Sequence, residues 1–152
     1  MVRNVGNLVP PAKAESNLTQ IDGSALAAAE FSVLRLNVSH IVVCGHSECG
    51  AMNALASAAP MEDVPHFKSW LTYGMAALQK LNQGVATDPT LSRVNQLSQL
   101  NVLQQIEHLK SHSFIRRQVE KSKLQIHGWW FDIAKADVYS FEETRGRFQL
   151  IE

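Results

Sequence analysis

The stretch Cys44-Gly45-His46-Ser47-Glu48-Cys49-Gly50 concentrates the residue types with most chemical capacity in this 152-residue sequence. Imidazole and thiolate are both good zinc ligands, at about 2.0–2.1 and 2.3 Å. Two residues separate His46 from Cys49, and Gly45 and Gly50 on either side would let the backbone turn tightly around an ion. A lone His-x-x-Cys pair is nevertheless a weak signal. A polar loop histidine beside a buried structural cysteine explains the spacing more simply. Cys44 and Cys49 are the only cysteines. They make no disulfide framework, and a bridge between them would close a very small loop.

The elements around this loop decide what it can do. His40 to Cys44 is a β-branched run bounded by turn signals, which predicts a strand buried on both faces. A helix is expected before it, from Ala25 to Leu36, with an N-cap in Asp22-Gly23-Ser24 and an end at Asn37. Another is expected after it, from Ala51 to Ala58. The loop then lies beyond the carboxyl end of a buried strand, where open α/β sheets bind ligands. The following helix start favours an anionic ligand at Cys49. Further along, Asp63 and Pro65 open a helix that runs to Leu81 and stops at Asn82-Gln83-Gly84. Thr87-Asp88-Pro89 restarts a long helix from about Thr90 to Ser111, and a short one follows from Ser113 to Lys121. Leu124 to Ile133 and Val138 to Phe141 read as strands, with an edge strand in Arg145 to Glu152. Met1 to Pro11 reads as a short strand entering a loop over 12–21. The fold class is therefore α/β: a mostly parallel β-sheet flanked by helices on both faces, in one domain over residues 1–152.

Fourteen basic residues balance fourteen acidic ones. Nucleic acid and anionic membrane both select a net basic surface, so neither is expected as the main partner. No apolar run approaches the roughly 20 residues that cross a bilayer, and no secretion signal opens the sequence. A cytoplasmic protein is the default expectation.

A longer pattern gives the His-x-x-Cys pair its meaning. Glu30-Phe31, Val33, Leu36, Ile41-Val42-Val43, Gly45-His46 and Cys49-Gly50 together resemble the signature of the β-class carbonic anhydrases, with Ser32 where a small alanine is usual. Val2-Arg3-Asn4-Val5-Gly6-Asn7 resembles the family's Arg-Asn-Ala-Gly-Asn segment. Asn101-Val102-Leu103-Gln104-Gln105-Ile106 resembles its Asn-Val-x-x-Gln helix, and Leu124-Gln125-Ile126-His127-Gly128-Trp129 its late strand ending in His-Gly-Trp. The resemblance runs from Met1 to about Phe141.

The resemblance implies one Zn²⁺ held by Cys, His and Cys, two of them matching His46 and Cys49. It implies reversible hydration of CO₂ to bicarbonate by zinc-activated water, a Lewis-acid effect that brings the water pKa from 15.7 to about 7. It also implies a homo-oligomer, dimeric or larger. One departure stands out. The family's first ligand lies in a Cys-x-Asp-x-Arg motif on the strand before Arg-Asn-x-Gly-Asn, and no such motif occurs in this sequence. The catalytic Asp/Arg pair is absent with it. The expectation is an N-terminally incomplete domain with impaired catalysis. The strand that would pair between Val2–Asn4 and Ile41–Cys44 is lacking too, so the sheet is expected to close by shifting or to be filled by another chain.

Cys44 could replace the lost ligand, although a small buried strand thiol is the simpler reading. Glu48 could approach the metal or remain an exposed loop acid. Arg3 and Asn4 could border the cleft or anchor a strand. His127 suits a hydrogen-bonded structural role better than a second metal site. His66, His108 and His112 are explained by packing or exposure. Three functions compete: a zinc lyase acting on CO₂; an inactive fragment or interaction subunit of the same fold; and carbon disulfide hydrolysis, which related family members perform with the same zinc set.

Overall fold

The computed structural model describes residues 1–12, 23–57 and 60–151. The loop expected over 12–21, together with Asp22, Ala58 and Glu152, lies wholly or in part outside them. Helix α1 (Ser24–Leu34) leads to strand β1 (His40–His46), helix α2 (Gly50–Ser57) and helix α3 (Pro65–Leu71). Helices α4 (Met75–Asn82), α5 (Arg93–Ser111) and α6 (Ser113–Glu120) follow, then strands β2 (Gln125–Asp132), β3 (Asp137–Glu142) and β4 (Arg147–Leu150).

Local chemistry sets most of these boundaries. Pro65 occupies the first turn of α3, where its missing N–H costs nothing. The single helix expected from Asp63 to Leu81 is divided by a 3₁₀ turn at Thr72–Gly74. There Gly74 approaches α2 so closely that a Cβ would meet Leu55 Cδ2 at 2.9 Å. The long helix starts at Arg93 rather than Thr90. Asp88 Oδ1 accepts from Thr90 N and Oγ1 at 3.0 and 2.6 Å, which closes a turn, and the Ser92 hydroxyl then caps α5 by accepting from Asn95 N. Asn37 takes the left-handed φ of 53° that a helix end favours.

The sheet has the order β1-β2-β3-β4. Strands β1 and β2 pair in parallel, with Cys44 opposite Trp129 and His46 opposite Phe131. The pairs β2–β3 and β3–β4 are antiparallel. The sheet is thus mixed rather than mostly parallel, because the connections over 133–136 and 143–146 are too short for a crossover. For the same reason no crossover helix arises there to cover a second face. Ile41, Val43, Ile126 and Trp130 pack beneath α5 and its residues Val102 and Ile106. A smaller cluster joins α1 to α6 through Val33, Ile115 and Leu124. The opposite face carries Val42, Cys44 and Trp129, all exposed.

Four expectations change accordingly. Strand β1 is buried on one face, alternating along its length, and not on both. Cys44 is an exposed thiol, not a buried one. Residues 1–4 form no strand. The chain instead enters a 3₁₀ turn at Val5–Asn7, with Gly6 at φ 74°. Among the described residues the outer edge of β1 has no strand partner, so the sheet has not closed by shifting.

Candidate functional site

The carboxyl end of β1 is built against α5. A Cβ at Gly45 would lie 2.7 Å from Val102 Cγ2 and 3.3 Å from Ser98 Oγ, so only glycine lets the helix come this close. One residue on, the Ser98 hydroxyl donates to His46 O at 2.7 Å and accepts from Trp130 Nε1 at 3.2 Å. Ser47 is buried and ties the loop to β2: its N–H donates to Phe131 O at 2.8 Å and its hydroxyl accepts from Ile133 N at 2.9 Å.

The turn itself is made by Glu48, at φ 53°, and not by the flanking glycines. Asn95 of α5 stabilises that strained backbone. Its Oδ1 accepts from Glu48 N at 2.8 Å and its Nδ2 donates to the Glu48 carboxylate at 3.0 Å. Glu48 is exposed and committed to this bond, in keeping with a loop acid. Gly50 meets nothing within 4 Å of a notional Cβ, so the tight turn expected of it is not required.

The structure places His46 and Cys49 on either side of this turn. His46 Nδ1 lies 2.8 Å from Ser47 O. A carbonyl oxygen only accepts, so Nδ1 is the donor there and Nε2 is the ring nitrogen left to face an ion, the arrangement that orients a metal-binding imidazole. Cys49 is 4% exposed and caps α2, its carbonyl accepting from Asn53 N at 2.9 Å. Imidazole and thiol are the right donors for zinc, and they number two. Among the described residues no group of three His, Cys, Asp or Glu side chains is arranged to hold an ion. Cys44 shares a face of β1 with His46 by strand alternation but joins no such group. Its sulfur points to Gly45 O at 3.5 Å, and partial burial pushes its thiol pKa up, which keeps the proton on. These donors fit half of a catalytic zinc site, which uses three protein ligands and an open position.

Asn4 folds back onto Leu8, bonding its N–H at 3.0 Å and its carbonyl at 2.9 Å, so it closes a turn rather than facing a cleft; Arg3 is exposed. The sequence reading missed what fixes this region, a polar stripe along α5. Asn95 holds Glu48 and Ser98 holds His46. Asn101 Nδ2 donates to Gly6 O at 2.9 Å and to this set Gln105 adds an Oε1 that accepts from Val9 N at 2.8 Å. The spacing of three, three and four was visible as polar residues on one helical face. Asn101 and Gln105 are fully buried and bonded to each other at 2.9 Å. His108 and His112 continue the stripe through Val9 O and Pro10 O, at 2.7 and 2.9 Å.

A family model described as carbonic anhydrase matches residues 1–138. A carbonic anhydrase of Pseudomonas aeruginosa is 34% identical over 97% of this chain, and β carbonic anhydrase 1 of Caenorhabditis elegans is 32% identical over all of it. The chain spans 64% of the first relative's length and 67% of the second's. Among solved structures, the β-carbonic anhydrase CcaA superposes with a TM-score of 0.86 at 26% identity, covering 99% of this chain and 66% of CcaA. A tetrameric β-carbonic anhydrase of Sordaria macrospora gives 0.73 at 30% identity, covering 91% of this chain and 66% of its own.

Proposed function

Because this chain belongs to the carbonic anhydrase family, we propose that it carries half of a zinc centre for reversible hydration of CO₂ to bicarbonate, with His46 and Cys49 as the metal ligands. The observation that carries this reading is the 2.8 Å contact of His46 Nδ1 with Ser47 O, which leaves Nε2 as the ring nitrogen for an ion, beside a helix-capping cysteine. Each neighbouring group has a positioning task. Ser98 holds the end of β1, Ser47 ties the loop to β2, and Asn95 sustains the turn between the two ligands.

Among the described residues the donor set is one protein ligand short of a catalytic zinc site, so no catalytic step is assigned to an ion held by these two residues alone. The 152-residue chain is expected to bind zinc weakly and to hydrate CO₂ slowly. Losing an outer-shell partner already costs about 10–100-fold in affinity or activity, and a missing direct ligand costs more. Elemental analysis paired with stopped-flow CO₂ hydration tests this. Substoichiometric zinc and a rate more than about 100-fold below the Pseudomonas relative, measured alongside, are expected. Equal rates would refute the impairment.

A second reading, an inactive interaction subunit, draws on the edge of β1, which has no strand partner among the described residues, and on the exposed Val42 and Trp129 beside it. The same features suit a homo-oligomer, and the Sordaria relative is tetrameric. An apo chain without turnover, recovered as an oligomer, is what this reading expects. Among the described residues no helix is long and apolar enough to cross a membrane.

A further inference from the structure

At the opposite end of β1 from the Ser47–Cys49 turn, two imidazoles meet on the open face of the sheet. His40 is the first residue of β1, and His127 is the third of β2. In the parallel register His40 faces Gln125 while His127 faces Val42, so the two histidines are diagonal neighbours. His40 Nδ1 lies 3.0 Å from His127 Nε2, with ring centroids 5.2 Å apart and ring planes 31° apart. His127 therefore has the hydrogen-bonded role that its sequence suggests, and its partner is another metal-ligating side chain.

We propose that His40 and His127 form a second metal site, taking a first-row divalent ion, Cu²⁺ in preference to Ni²⁺ or Zn²⁺. An ion bound to two imidazole nitrogens at about 2.0–2.1 Å, with an angle of about 90–110° between them, sets those nitrogens about 2.8–3.4 Å apart. The observed 3.0 Å lies in that interval. The ion takes the place of the proton now shared between the rings. Both rings stay neutral, and the one that donated moves its hydrogen to its other nitrogen, so no proton is released. Bringing both lone pairs onto one ion requires each ring to turn about χ2, a soft torsion. Water completes the coordination, since this face is open and His40 is exposed. Copper is preferred because two neutral nitrogens and water follow the order of divalent affinities that peaks there. This site is separate from His46, which sits six residues further along the strand, about 20 Å away at 3.3 Å per residue. A bound ion clasps the amino end of β1 to β2, its only strand neighbour among the described residues.

Copper titration of the chain carrying His46→Ala and Cys49→Ser isolates this pair, followed by calorimetry and electron paramagnetic resonance. One Cu²⁺ per chain with a two-nitrogen signature is expected. His40→Gln or His127→Gln, which keeps a polar group on the partner ring, lowers the affinity by about 10–100-fold or more. His66→Gln, at an exposed histidine on α3, leaves it unchanged. In the unsubstituted chain, a copper-induced rise in Tm that disappears in His127→Gln gives an independent readout. Copper affinity indifferent to both His40 and His127, or a loss equally large in His66→Gln, overturns the proposal.

Discussion

The two faces of the sheet follow opposite rules. Beneath α5, Gly45 and Gly128 have no room for a side chain: a Cβ would stand 2.7 Å and 3.1 Å from the methyls of Val102. On the other face Val42 is 43% exposed and Trp129 36%. The first face is finished, with each backbone position dictated by its neighbour. The second leaves apolar side chains partly open to solvent. The difference teaches that the scaffold of the site and the ligand set proposed for it are separate achievements. Helix α5 fixes where His46 and Cys49 stand, and it contributes no donor to a metal.

The largest expected effect contrasts the faces directly. Gly45→Ala forces Val102 or β1 to move, costing about 1–3 kcal/mol, while Val42→Ala costs about 0.5 kcal/mol or less. Thermal melts of both variants check this, and equal losses would erase the distinction. Next comes Ser98→Ala, which frees His46 O and leaves the buried Trp130 Nε1 unpaired, at about 1–3 kcal/mol. On the proposed zinc site its signature beyond stability is weaker zinc retention, since the strand carrying His46 loses its anchor; unchanged zinc binding would limit Ser98 to packing.

A smaller effect appears on acidification. Burial pushes the His108 pKa down, and its hydrogen bond to Val9 O only partly offsets that. The folded chain therefore binds a proton less readily than the unfolded one. This stability contribution is complete above the ordinary imidazole pKa of about 6.5 and is lost as pH falls through the lower folded value. His108→Gln should flatten that part of the acid-side stability profile in denaturant titrations run at several pH values. The smallest effect concerns Cys44. Its raised thiol pKa makes alkylation slow at neutral pH despite exposure, and Cys44→Ser should leave zinc content unchanged. Zinc should shield Cys49 from alkylation and not Cys44. Protection of Cys44 would bring it into the ligand set.

The α/β class and the strand starting at His40 were legible in periodicity and turn residues, although the strand runs two residues past Cys44, to His46, before the turn. What escaped was relational. An apolar run such as Ile41-Val42-Val43 fits a doubly covered strand, yet covering depends on connections far along the chain, and the short links after β2 and β3 supply no helix for the second face. Met1 to Asn4 has the composition of a strand, but a strand forms only with a partner, and none is present among the described residues. The turn at Glu48 was hidden for a different reason: Asn95, 47 residues away, holds a non-glycine residue in a left-handed conformation. The His46–Cys49 pair was legible as a motif. Its support by Asn95, Ser98, Asn101 and Gln105 was present as helical spacing and went unread, since buried polar residues on a helix resemble a solvated face.

Zinc-edge X-ray absorption on the chain carrying His40→Ala, loaded with one equivalent of zinc, tests the half-site itself. One sulfur at about 2.3 Å, one imidazole nitrogen at about 2.0–2.1 Å and light water-like atoms for the remainder are expected. Two sulfurs would bring in Cys44 or a second copy of Cys49, and no sulfur would dissolve the pairing of His46 with Cys49 altogether.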